Sequence, residues 1–210
     1  MAFRFADIAF TPAVQALQDR NGSRRQYARM QARSSGTDQL GTDELEFLSR
    51  ADSFYLATVS ETGWPYVQHR GGPRGFLKAL SPVTLAFADF RGNQQFVSAG
   101  NVSRDDRAAL IVMDYAARRR LKLLGHLRFA DAAGADPGLL QAVALPGYAG
   151  RLDRIAIIEV EAFDWNCPQH ITQRFTLEQV EEAVYPLRAR IAELEAQVRA
   201  LQAGERSDLS

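Results

Sequence analysis

A series of strand-like segments between residues 53 and 165, with almost no helix between them, constrains the fold of this chain most strongly. The segments are rich in β-branched and aromatic residues and short turns separate them: SFYLATVS, PYVQHR, GFLKAL, VTLAFADF, RAALIVMDYA, RRLKLLGHLRFA and RIAIIEVEAFDW. Parallel strands need long crossover connections, usually helices, and these are mostly missing. The pattern therefore predicts a mainly β, α+β protein whose six or seven antiparallel strands close as a small barrel.

Helical patterns flank the predicted barrel. Near the N-terminus, TPAVQALQDR places Thr11 as an N-cap and Pro12 at the first helical position. A short helix is also predicted in DPGLLQAVALPG, before the last strand. We therefore expect an N-terminal helical extension over 1–50, a barrel over 51–170 and a C-terminal amphipathic helix over 171–210.

The C-terminal segment carries a regular heptad of apolar residues. Its a positions are Leu177, Val184, Ile191 and Val198, and its d positions are Val180, Leu187, Leu194 and Leu201. Thr176 and Gln179 predict a capping box, and Pro186 predicts a kink or the start of a second helix. The a and d residues favour a parallel two-stranded coiled coil, with Arg190 facing Glu195 of the partner. An amphipathic helix packed on the barrel fits the same stripe.

Composition excludes several classes of function. The formal net charge is zero and the isoelectric point is about 6.8, so no overall field attracts nucleic acid or an anionic membrane. No apolar run approaches the roughly 20 residues that span a bilayer. Cys167 is the only cysteine, so no internal disulfide can form, which is typical of a cytoplasmic protein. Cys167 and His170 have metal-ligand spacing, but too few further ligands remain, and we expect no metal site.

Basic residues cluster around a glycine pair in QHRGGPRGFLKAL. In a strand Gln68 and Arg70 point to one face and His69 to the other, and Lys78 follows the turn. The pair Gly71-Gly72 allows a ligand or a neighbouring strand to approach the backbone closely. This stretch is either a hairpin with solvated cations or a cradle for an anion.

Two further stretches carry cations or free donors. Arg120 and Lys122 share one face of RRLKLLGHLRFA. GNQQFVSAGNVSRDDR predicts a loop and a short helix whose free N–H groups are suited to an anion. A ligand site is expected only if these stretches converge in the fold.

Several of these stretches together resemble a known family. FYLATVSETGWPYVQHRGG, LAFADFRGNQQFVSAGNVSRDDRAALIVMDY and RRRLKLLGHLRF are similar in order and spacing to the pyridoxamine 5′-phosphate oxidase-like superfamily of flavin-binding split barrels, over roughly residues 42 to 170. The resemblance implies a six-stranded antiparallel split β-barrel, a homodimer, and one FMN in each groove between the protomers.

The resemblance also implies a set of cofactor-binding positions. These are Gln68, His69, Arg70, Lys78, Ser98, Asn101, Arg120 and Lys122. The sequence departs from the family where Pro73 replaces the strand arginine and Ser98 a frequent lysine. Arg120 stands where the classical oxidases have glutamine, and Lys122 where they have an arginine that binds substrate phosphate. The pyridoxamine phosphate site is therefore not reproduced.

The function that the resemblance implies is flavin-dependent oxidoreduction of an unidentified small molecule, with FMN as cofactor. A cation such as Arg120 or Lys122 beside the flavin would stabilise its anionic reduced form. The sequence contains no Ser-His-Asp set and no G-x-G-x-x-G motif that supports another catalytic class, and it identifies no catalytic side chain. A non-catalytic flavin-binding module, a haem-binding barrel, and coenzyme F420 in place of FMN stay open.

Overall fold

The structure is a computed structural model that describes residues 4–32 and 36–207, with side chains up to residue 200. The parts of the predicted N-terminal extension at 1–3 and 33–35, the part of the predicted C-terminal helix at 208–210, and the side chain of Leu201 lie outside the described residues. The chain divides into two compact units. One contains the residues up to Asp114 and Arg118–His170, and the other contains Tyr115–Ala117 and the residues from Ile171 onward.

The first unit contains six α-helices and seven strands within the described residues. The helices are α1 Arg4–Ala9, α2 Pro12–Arg20, α3 Arg24–Gln31, α4 Thr42–Ser49, α5 Val97–Val102 and α6 Pro137–Val143. The strands are β1 Ser53–Val59, β2 Pro65–Gly71, β3 Lys78–Ser81, β4 Thr84–Phe90, β5 Arg107–Asp114, β6 Arg119–Asp131 and β7 Leu152–Trp165. A single 3₁₀ turn, Ala132–Gly134, follows β6.

The strands form one antiparallel sheet in the order β2-β1-β5-β6-β7-β4-β3. The sheet has seven strands, which lies within the six or seven that the sequence pattern predicts, and the number of six that the resemblance implies is wrong. The shortest strand is β3, an edge strand that pairs with β4. Only the last part of GFLKAL joins it, because Gly75 adopts a φ of +76° and Phe76 and Leu77 turn into the core.

The sheet curls until its two ends meet. β2 lies at one end of the strand order and β4 is next to the other end. Nevertheless, Nη1 of Arg70 on β2 donates to Oδ1 of Asp89 on β4 at 2.7 Å. Phe54 of β1 also contacts Phe87 of β4, with ring centroids 5.4 Å apart. The two ends therefore enclose one apolar core, which confirms the split-barrel fold.

The glycine pair after β2 serves this core. A Cβ on Gly72 would lie 2.8 Å from the Cβ of Phe76, and the Phe76 ring stacks on Phe54 at 5.6 Å. The space at Gly72 is therefore filled by a side chain of the same protein. The expectation that it admits a ligand is wrong at this position.

A second glycine is required where β6 and β7 change register. Their pairing shifts between Leu124 and Gly125, and a Cβ on Gly125 would lie 2.2 Å from the carbonyl oxygen of Glu159. Ala in place of Gly125 must push the two strands apart at their longest ladder.

We expect Gly125→Ala to lower the free energy of unfolding by about 1–3 kcal/mol, the usual cost of overpacking. Urea denaturation of the purified variant measures this loss. Gly134→Ala is the matched control, since no atom lies within 4 Å of a Cβ built there. Equal stability of Gly125→Ala and wild type would contradict the close approach of the strands.

The predicted helix caps are confirmed in both units. Thr11 Oγ1 accepts from Val14 N at 3.5 Å, with Pro12 at the first helical position. In the second unit α7 spans Leu177–Ser207, and its capping box joins Thr176 and Gln179 reciprocally. Pro186 lies inside α7 and does not start a second helix.

Candidate functional site

Three charged side chains meet at one mouth of the barrel. Asp89 is 5% exposed and accepts from two arginines on other strands: Oδ1 from Arg70 Nη1 at 2.7 Å, and Oδ2 from Arg154 Nη2 at 2.6 Å. Asp89 and Arg154 are direct partners in the β4–β7 ladder, so they share a face. Arg70 lies opposite Phe54, whose side chain belongs to the core. All three therefore point into the barrel interior, and the cluster carries one net positive charge.

One donor in this cluster lacks a partner. Nε of Arg70 is buried without a hydrogen bond. Arg154 is held between rings, with its guanidinium carbon 5.1 Å from the Phe96 centroid and 4.6 Å from the Phe129 centroid. A buried, unpaired guanidinium N–H is costly unless a ligand or water accepts from it. The cluster is therefore suited to an acceptor, and specifically to an anion.

A small pocket surrounds the cluster. Its volume is about 80 Å³, and the loop 91–96 forms one wall. In that loop Gln94 and Phe96 adopt left-handed backbone conformations, with φ of 59° and 54°. Such strain in residues other than glycine is concentrated at ligand sites. On another wall, Ser98 Oγ donates to Gln68 Oε1 at 3.0 Å.

Of the cofactor-binding positions that the resemblance implies, Gln68, Arg70 and Ser98 line this one pocket. His69 instead pairs with Tyr55 on the outer face of the sheet. Asn101 is buried, and its Nδ2 donates to Thr58 Oγ1 at 2.9 Å. The Asn101 side chain therefore anchors α5 to β1.

Lys78 lies apart from the pocket. It is the partner of Ala86, which packs in a second apolar cluster with Val143 of α6. Asp89 lies on the opposite face of β4, because successive residues of a strand alternate. In the single chain Lys78 therefore does not join the two arginines.

Arg120 and Lys122 lie on the outer face of β6. Lys122 is opposite Asp164, and burial raises the pKa of that carboxyl group while the positive charge of Lys122 opposes the shift. Nε of Arg120 is buried without a partner, as is Oδ1 of Asn166, whose backbone N donates to the Arg120 carbonyl. This end of the β6–β7 ladder is therefore a second place, among the described residues, where buried polar atoms lack a hydrogen-bond partner.

The histidines do not form a metal centre. Over 4–32 and 36–207, no group of three or more His, Cys, Asp or Glu side chains is placed to hold a metal ion. His126 contacts Asp106 at 2.8 Å and Glu161 at 3.3 Å through its two ring nitrogens. Both carboxylates raise the pKa of His126, and the hydrogen bond to Asp106 has the largest effect. His126 therefore belongs to a surface ion-pair network.

The family model described as pyridoxamine 5′-phosphate oxidase matches residues 42–162, more than half of the chain. The chain belongs to this family. The match covers β1 through most of β7 and therefore includes the charged cluster and the loop beside it. Comparison with curated proteins gave no match.

Solved structures similar to this family member are distant in sequence. HupZ of Group A Streptococcus is 14% identical, covering 65% of this chain and 99% of its own, with a TM-score of 0.49. A protein of Clostridium acetobutylicum related to general stress protein 26 is 11% identical, covering 66% and 94%, with a TM-score of 0.43. An FMN-binding protein of Syntrophomonas wolfei is 10% identical, covering 71% and 97%, with a TM-score of 0.42.

Sequence reasoning missed Asp89, Arg154 and Phe96 as parts of the site of this oxidase-family protein. A signal was present for the two charged residues. Asp89 alternates in phase with the buried Leu85 and Phe87, so its side chain had to be buried too. A buried carboxylate needs a cationic partner, and Arg154 is one of the two that Asp89 has.

The helices that the structure describes give no sign of a membrane span. No helix in the described part of the chain is long and apolar enough to cross a membrane.

Proposed function

We propose that this protein binds FMN as a homodimer and uses it for oxidoreduction of a small molecule. In this proposal the FMN phosphate binds in the small pocket at the barrel mouth. Arg70 and Arg154 supply the positive charge there, and Gln68 and Ser98 supply neutral polar contacts. The observation that carries it is the buried, unpaired Nε of Arg70 in a cluster of net positive charge.

The chemistry of the pocket fits a phosphate monoester. Guanidinium groups bind phosphate through charge-assisted hydrogen bonds, which are about twice as strong as neutral ones. A volume of about 80 Å³ suits a phosphate group. The proposal places the isoalloxazine beyond this pocket.

We propose that the isoalloxazine ring contacts three residues of the outer face, Arg120, Lys122 and His69. These residues would reach the ring across a dimer interface. The outer face of β1 and β2 exposes apolar side chains: Tyr55 is 40% exposed and Val67 is 61% exposed. An apolar sheet face of this kind is suited to contact a second protomer. Bound FMN supplies the redox chemistry, and a cation beside the ring favours negative charge on it. Lys78 would join such a site only through the dimer.

Purification of the full-length chain tests cofactor and activity separately. We expect a yellow protein that releases one FMN per chain on denaturation, identified by mass spectrometry. We expect NADH or NADPH, followed by an electron acceptor, to turn the flavin over. A protein that refuses added FMN, or that binds F420 or haem instead, would contradict the FMN proposal. If FMN binds but neither NADH nor NADPH reduces it, the protein is a flavin-binding module and the proposed oxidoreductase activity is contradicted.

A further inference from the structure

Helix α7 exposes most of its apolar stripe between Leu177 and Val198. The exposed fractions are 44% for Val180, 62% for Leu187, 55% for Ile191, 42% for Leu194 and 50% for Val198. The helix has 31 residues, so it extends about 46 Å at the α-helical rise of 1.5 Å per residue. A helix this long with its apolar stripe in water requires a covering partner.

We propose that the partner is α7 of a second copy of this chain, in a parallel, in-register coiled coil. The a positions after the first heptad are Val184, Ile191 and Val198, and leucine occupies the d positions Leu187 and Leu194. β-Branched residues at a with leucine at d favour two parallel strands over higher oligomers.

The charges that flank the seam agree with this orientation. In a parallel pair the g position of one helix faces the next e position of the other, which places Arg190 opposite Glu195 of the partner. None of the remaining g–e pairs along α7 sets like charges against each other. In the single chain Arg190 contacts Glu193 at 2.6 Å, and that contact is exposed and easily exchanged.

Pro186 is compatible with the pairing because of its place in the heptad. It occupies a c position, so its ring faces away from the a and d residues. α7 continues through it as one helix. A bend at this position would change the direction of the helix but would leave Leu187, Ile191 and Leu194 in the seam.

Cysteine cross-linking of the full-length chain tests the pairing and its direction. Cys167 is the only cysteine and is exposed, so it is first replaced in a Cys167→Ser background. Leu187→Cys and Leu194→Cys then report on the seam, and Ala196→Cys, at an outward f position, is the matched control. Under mild oxidation we expect at least about tenfold more disulfide-linked dimer from each seam variant than from the control, because a disulfide requires Cα atoms within about 7 Å.

The two seam positions also distinguish the alternatives. Cross-linking at Leu194 without Leu187 would indicate an antiparallel pair and overturn the proposal. Equal yields from Ala196→Cys and the seam variants would show random collision and overturn it as well. Adding Ile191→Asp to the Leu187→Cys chain should abolish the cross-link. FMN content, read from the flavin absorbance of the same samples, reports separately on the barrel.

Discussion

Arg154→Gln is expected to weaken FMN binding by about 1.5–3 kcal/mol, the scale of a hydrogen bond to a charged group. Arg154 lies in the barrel mouth with its guanidinium between Phe96 and Phe129. The proposed phosphate site therefore loses half of its arginine charge in this variant. Gln keeps a polar side chain without the charge, but it is shorter than Arg and loses the contacts with the two rings.

Riboflavin, which has the same ring and no phosphate, makes this prediction specific. We expect riboflavin to bind wild type and Arg154→Gln with nearly equal affinity, measured by quenching of flavin fluorescence. Arg70→Gln should behave in the same way. Arg151→Gln is the matched control, since the Arg151 side chain is 71% exposed and pairs with Asp153 at 3.4 Å.

Two results would contradict the assignment of the phosphate to this mouth. Unchanged FMN affinity in both Arg70→Gln and Arg154→Gln would remove the two residues from the site. An equal loss for FMN and riboflavin would indicate that they act on the ring or on the fold. Thermal unfolding of each variant without flavin separates that last cause.

The strands and their faces could be predicted because they depend on local alternation. In β6 the buried residues Leu121, Leu123 and Leu127 alternate with Arg120 and Lys122, as the sequence indicates. The same rule placed Gln68 and Arg70 on one face of β2. The sequence also predicts a strand in GFLKAL, but its extent could not be predicted: β3 begins only at Lys78, because Gly75 adopts a positive φ and the chain turns before the strand.

The charged cluster at the mouth could be predicted only in part. Alternation shows that Asp89 faces the core, but it does not show which cation approaches. That information lies in the pairing of β4 with β7, whose residues are far apart in the sequence, and in the closure that brings β2 to β4. The position of Lys78 on the other face of β4 has the same non-local origin. A site assembled from distant strands therefore needs the structure.

Asp89→Asn is expected to change stability and FMN affinity in opposite directions. Asp89 is 5% exposed and its carboxylate is the shared acceptor of Arg70 and Arg154. Its removal leaves two largely buried guanidinium groups without a counter-ion, which costs roughly 3 kcal/mol of folding free energy by analogy with other broken buried pairs. The same removal takes a negative charge away from the proposed phosphate site, so FMN should bind more tightly.

Urea denaturation without flavin measures the change in stability. FMN titration, at a concentration of urea too low to unfold the protein, measures the change in affinity. Glu61→Gln is the matched control, because the Glu61 carboxylate is 65% exposed, contacts the exposed Arg104 at 2.8 Å and should contribute little to stability. Asp89→Asn with wild-type stability would show that water screens the cluster. Weaker FMN binding by Asp89→Asn would show that the carboxylate holds the arginines in place for the phosphate, and the electrostatic prediction would be wrong. Tighter FMN binding together with lower stability is the expected result. It would mean that the Asp89 carboxylate neutralises the two arginines while the site is empty, and that this neutralisation lowers the affinity for FMN.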